Sequence, residues 1–183
     1  MTDRKKILAI SGSTRLSSSN LLLIKAVIDL SADDLDIKIF QGLSEIPHFN
    51  PDLDKDNPPD NVIEFRRQLK EADGILICTP EYAMGVPGTL KNAIDWTVSS
   101  GEFSHKPVAL ITASSVGQKG HLSLLETLKV IEADIPEESR LLIPFIQTKI
   151  NSEGKITDVE ILAQVKELIS SLTLTIANNT SLD

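Results

Sequence analysis

The sequence predicts a three-layer, doubly wound α/β domain with a five-stranded parallel sheet between two layers of helices. Three observations lead there. Short apolar runs alternate along the chain with segments of helical periodicity, the pattern of repeated strand–helix units. Most of these runs are continuous rather than alternating with polar residues, so both faces of the strands are to be covered. The first run ends in Ser-Gly and passes at once into a hydroxyl-rich segment that opens a helix. In such sheets ligands bind beyond the carboxyl ends of the strands, where strand order reverses.

The elements follow in order. Lys6 to Ser11 is the first strand and Asn20 to Leu30 the first helix. Leu35, Ile37 and Ile39 alternate with polar residues and form a second strand. Gln41 to Asp60, rich in Pro, Asp and Asn, is a long surface loop. Val62 to Ala72 is a charged helix, and Gly74 to Thr79 a third, buried strand. Pro87 stands near the first turn of a helix that extends to Ser99, with Leu90, Ala93, Ile94 and Thr97 on one face. Pro107 to Thr112 is the fourth strand, Leu122 to Ala133 a helix, and Leu141 to Ile143 a short fifth strand. Ile161, Val165, Leu168 and Leu172 mark the last helix. The loops beginning near Gly12, Pro80 and Ala113 are therefore where function is expected.

A chain of 183 residues suits one domain, here taken as residues 1–183, that buries its own core. No apolar run is long enough for a membrane span, and the short run after the N-terminal Lys pair lacks a signal-peptide pattern. The expected location is cytoplasmic, with no membrane partner. The formal net charge of −8 argues against nucleic acid as a partner. The single cysteine, Cys78, excludes an internal disulfide and a cysteine-rich metal site, and reads as a small buried hydrophobe. No metal site is expected.

Charge is unevenly distributed. Between Asp3 and Asp29 there is no carboxylate, while Arg4, Lys5, Lys6, Arg15 and Lys25 fall in that stretch. Its centre is Ser11-Gly12-Ser13-Thr14-Arg15-Leu16-Ser17-Ser18-Ser19-Asn20. A helix N-terminus offers free amides and partial positive charge. Ser13, Ser18, Ser19 and Asn20 add side-chain donors, and Arg15 adds a guanidinium fork matched to phosphate. One N-cap needs one serine; this loop has far more. It has no base, so it can hold a phosphate without reacting with it. A Gly-Lys-Ser/Thr ending for a triphosphate and a three-glycine dinucleotide fingerprint are both missing.

Gly12-Ser13-x-Arg15-x-x-Ser18-x-Asn20 resembles the phosphate loop of the NADPH-dependent FMN reductase family, which includes quinone, azo-dye and chromate reductases. Thr79-Pro80-Glu81-Tyr82-Ala83-Met84-Gly85-Val86-Pro87-Gly88, running on to Leu90-Lys91-Asn92-Ala93-Ile94-Asp95-Trp96, is similar to that family's second motif. The motif-level likeness covers Ile7 to Gly120. It implies a flavodoxin-like fold with strand order 2-1-3-4-5, FMN as cofactor and NADPH or NADH as co-substrate. It also implies a homodimer or homotetramer.

The resemblance implies ring contacts at Pro80, Glu81 and Tyr82, mostly through backbone, with Ala83 beside them in the cofactor site and Lys91, Asn92 and Asp95 tying the helix to the loops. The family often has Asn, His or Ser where this chain has Ala83. In the third loop Ser114, Ser115 and Gly117 are expected near the flavin; Gly120-His121 keeps only the first residue of the family's frequent Gly-Gly pair. His121 reads as a solvated loop histidine. No nucleophile–base pair appears, so no residue is catalytic: the flavin carries the chemistry. One ring face left open would receive nicotinamide and then a small-molecule electron acceptor, a ping-pong scheme with quinone, flavin, azo or metal-ion acceptors. The rival readings are a flavodoxin-type electron carrier, which usually frames the ring with aromatics on both faces, and a non-enzymatic FMN-binding protein. A receiver-type signalling domain would need acids after the first strand.

Overall fold

A computed structural model describes residues 4–15 and 17–179. The elements are β1 (Lys5–Ser11), α1 (Ser19–Leu30), β2 (Leu35–Ile39), α2 (Asp60–Glu71), β3 (Gly74–Thr79), α3 (Gly88–Asp95), β4 (Val108–Ser114), α4 (Gln118–Val130), β5 (Arg140–Pro144) and α5 (Val159–Asn179). The five strands are parallel in the order β2-β1-β3-β4-β5, with Ile7 opposite Ile37, Ile10 opposite Ile77, Thr79 opposite Thr112 and Ser114 opposite Pro144. This is the flavodoxin-like order that the motifs implied.

Side-chain alternation divides the core in two. Ala9, Leu76, Cys78, Ala109 and Ile111 point to one face and pack with α1 and α5. Ile10, Ile75, Ile77, Val108 and Leu110 point to the other and pack with α2, α3 and α4. Every residue of β3 is buried, as a continuous apolar run at the centre of a covered sheet should be. Cys78 is among them, and burial drives its thiol pKa upward, away from reactivity. The small-hydrophobe reading of Cys78 holds.

Two helices depart from the sequence expectation. The third ends at Asp95 rather than at Ser99. The carbonyl of Trp96 instead accepts the Arg66 guanidinium, with Nε at 2.8 Å, and Thr97 Oγ1 folds back on the Ile94 carbonyl. The fourth begins at Gln118, four residues before the expected Leu122, behind a left-handed Gly117. His121 is therefore not a solvated loop residue. It is buried in the first turns of α4, with Nδ1 2.9 Å from Thr112 Oγ1. Burial, then the nearby Arg140 charge, lower its pKa below the usual value. β4 also continues two residues beyond Thr112, to Ser114.

The long loop between β2 and α2 contains a 3₁₀ turn at Leu43–Glu45 and is pinned by the second motif. Asn92 Nδ2 donates to the Pro47 carbonyl at 2.9 Å, its Oδ1 accepts the Phe49 amide at 2.7 Å, and Trp96 Nε1 reaches the same Pro47 carbonyl. The Trp96 ring meets Phe49 edge-on. Lys91 pairs with Asp95 along the exposed side of α3.

Candidate functional site

The carboxyl ends of β1, β3, β4 and β5 open at one edge of the sheet, where a cavity of about 330 Å³ lies. That is within the range of small-molecule pockets. The path out of β1 is set at Gly12, whose amide donates to the Cys78 carbonyl at 2.9 Å. A Cβ on Gly12 would lie 2.2 Å from Thr79 Oγ1, so only glycine lets the first loop cross so close to β3.

From the first loop, Ser13, Arg15, Ser17, Ser18, Ser19 and Asn20 line the cavity. Ser18 is the N-cap of α1: its Oγ accepts the Asn20 amide at 3.2 Å, and no acid lies in the first turn. Ser13 Oγ accepts the Arg15 amide at 3.4 Å. Arg15 is exposed, and among the described residues no carboxylate forms an ion pair with it. Asn20 is buried and engaged inward. Its Nδ2 donates to the Ala113 carbonyl at 3.1 Å and its Oδ1 accepts the Cys78 thiol, which staples α1 to β3 and β4.

From the second loop come Pro80, Glu81 and Tyr82. Residues 82–85 form a two-residue hairpin turn closed by reciprocal amide–carbonyl bonds of 2.9 Å between Tyr82 and Gly85. Ala83 and Met84 at its tip both have positive φ, 48° and 63°. Mirror-image turns of this kind favour Asn or Gly there, so Ala and Met carry backbone strain. Glu81 Oε2 accepts the Gly120 amide at 2.7 Å. From the third loop come Ala113, Ser114 and Ser115.

Ten of the twelve residues singled out from sequence thus face one cavity. Ala83 projects from the exposed tip, and Gly117 is buried beneath the third loop, where a Cβ would meet Leu142 Cδ1 at 2.9 Å. Sequence reasoning missed the turn after β5. Phe145, Ile146, Gln147 and Thr148 complete the wall. Phe145 is 63% exposed in a left-handed conformation, φ 53°, with its amide donating to the Ser115 carbonyl and its carbonyl accepting from the Thr148 amide and hydroxyl. The available signal was the fifth strand's parallel direction, which places its end at the same edge as the other three.

The donor set suits a phosphorylated, flat ligand. Hydroxyls, a guanidinium and a helix N-terminus gather at one end, and a stiff loop with an exposed tyrosine stands at the other. Among the described residues no group of three or more His, Cys, Asp or Glu is gathered as metal ligands. No helix among them is long and apolar enough to cross a membrane.

These features are those of a flavin-binding member of the flavodoxin-like α/β proteins. The profile of the NADPH-dependent FMN reductases matches residues 5–137, and the chain belongs to that family. An NAD(P)H-dependent FMN reductase of Pseudomonas aeruginosa is 32% identical over 95% of this chain and 96% of its own. A quinone reductase of Escherichia coli is 28% identical over 86% of this chain and 88% of its own. Among solved structures, the flavoenzyme NAD(P)H:(acceptor) oxidoreductase FerB of Paracoccus denitrificans superposes with a TM-score of 0.81 at 25% identity, covering 95% of this chain and 98% of that one.

Proposed function

We propose that this chain is an NAD(P)H-dependent FMN reductase that passes electrons to small acceptors of the quinone class, with residues 1–183 acting as one cytoplasmic domain. The observation that carries the reading is the union of two loops in one cavity: an acid-free hydroxyl and guanidinium loop at the start of α1, and a self-bonded hairpin after β3. Family membership supports it, as do the full-length relatives named for FMN and quinone reduction.

The residues divide the work. Ser13, Ser18 and Ser19, with the first amides of α1 and the Arg15 fork, hold the phosphate and compensate its charge. Asn20 keeps that helix seated on β3 and β4. Pro80, Glu81 and Tyr82 on one side, mostly through backbone, and Ser114 and Ser115 on the other, hold the ring edge. Ala83 and Gly117 shape those two loops. Bound there, FMN would supply the redox chemistry between the reduced nicotinamide and the acceptor. The chain's part is to orient the ring and leave one face open to both partners in turn. Tyr82, Met84, Val116 and Phe145 are exposed apolar side chains. A homo-oligomer that covers part of this surface belongs to the same reading.

Two measurements test the proposal. The protein purified with FMN should be yellow and should oxidise NAD(P)H when a quinone is supplied; a colourless protein with no turnover defeats it. Added FMN at ~100 times its dissociation constant should stabilise the fold by about 2.7 kcal/mol, read as a rise in Tm.

A further inference from the structure

Glu81 lines the cavity, but its carboxylate is committed to another element. Oε2 accepts the amide of Gly120, the third residue of α4, at 2.7 Å. The first amides of a helix have no partner within it. α4 also lacks a side-chain cap of its own, and its first turn contains no acid. The loop after β3 therefore supplies both the missing acceptor and the negative charge that a helix N-terminus favours.

Packing reinforces the bond on both sides. A Cβ on Gly120 would lie 2.8 Å from the Gly85 carbonyl oxygen and 3.0 Å from Glu81 Cγ, so the hairpin and the helix touch with nothing between them. Lys119 Nζ approaches Met84 Sδ at 3.6 Å, a second link between the same two segments. The hairpin is closed by its own bonds and the third loop runs directly into α4. One side chain thus joins two pieces that are each rigid within themselves.

We propose that Glu81 is a positioning residue: its side chain latches the loop after β3 to α4, and so fixes the spacing of the two loops that flank the flavin ring, without touching the ring. This rests on the FMN reading above and assigns the Glu81 side chain a task within it.

Three variants separate the possibilities. Glu81→Gln keeps an acceptor oxygen at the same reach and removes the charge. Glu81→Asp keeps the charge but falls one carbon short. Glu81→Ala removes both. FMN dissociation constants are measured by flavin fluorescence on apoproteins whose circular dichroism and melting show them folded. Hydrogen exchange at the Gly120 amide is followed in parallel. The latch predicts FMN binding weakened about tenfold in the Asp and Ala variants and restored to within about threefold by Gln, with Gly120 protection following the same order. FMN affinity within twofold of the parent in Asp and Ala, or a Gln variant as weak as Ala, would overturn it. If Glu81→Ala does not fold, the Asp and Gln pair still decides. If the parent itself binds no FMN, the cofactor reading fails, and amide exchange in the apoproteins still tests the latch.

Discussion

The loops after β1 and β3 face the same cavity and are built in opposite ways. The first keeps its Arg15 guanidinium and serine hydroxyl donors open, while Asn20 is turned inward to Ala113 and Cys78. Arg15 has no carboxylate partner among the described residues, and Ser13, Ser18 and Ser19 all line the cavity. The second turns its polar groups on itself and on its neighbour, Tyr82 to Gly85 and Glu81 to Gly120, and the helix it opens adds Asn92 to Pro47. A doubly charged phosphate rewards many free donors that close around it. A flat ring rewards a surface that is already in place and does not move. The two halves of one cavity thus show two ways of preparing for a ligand.

The sharpest way to break this contrast is at Gly12. Gly12→Ala forces a methyl group onto Thr79, against which nothing yields easily, and should cost about 3 kcal/mol of stability, measured by denaturant unfolding of the apoprotein. A cost under 0.5 kcal/mol would mean the first loop is not pressed against β3. Next comes Arg15→Ala, which removes an open group and leaves packing alone. FMN affinity should fall by about 1.5–3 kcal/mol in titration calorimetry, while apoprotein Tm stays put. Unchanged affinity would place the phosphate elsewhere.

On the stiff side the expected effects are smaller and differ in sign. Ala83→Asn puts a residue that tolerates the left-handed region at a strained, exposed position, and should raise stability by about 0.5–1 kcal/mol in thermal or denaturant melts. A loss of stability would show that the hairpin tip is not strained. The last test uses pH. His121 has a folded-state pKa below its unfolded value of 6.5, so the unfolded chain binds the extra proton first. Stability contributed by neutral His121 is complete above that value and declines as pH falls from about 7 toward 5. That slope should flatten in His121→Asn; an identical slope in both proteins would remove His121 from the account.

Much of this arrangement was legible in the sequence, because the sheet obeys local rules. Runs such as Ile75 to Ile77 are apolar without interruption since both faces of β3 are covered, and all five strands lie within two residues of where periodicity put them. Parallel strands align their carboxyl ends, and that alone brought the first three loops together. What escaped depends on partners distant in sequence. The start of α4 is weak as a local signal, with Gly120 in its first turn; its cap arrives from Glu81, 39 residues earlier. The end of α3 is decided by Arg66, 30 residues before Trp96. His121 is polar and reads as surface until Thr112 is seen beneath it. The wall from Phe145 to Thr148 follows a short edge strand whose sequence carries no loop motif.

The placement of sulfur has a chemical consequence of its own. Cys78 is the chain's lone cysteine, sealed beneath the cavity floor with its thiol donated to Asn20. An electrophilic quinone or a peroxide formed at the cavity mouth meets no thiolate to alkylate or oxidise. Among the described residues the exposed sulfur is that of Met84, 66% exposed at the strained tip of the hairpin, and damage during turnover should register there before Cys78, as a sulfoxide.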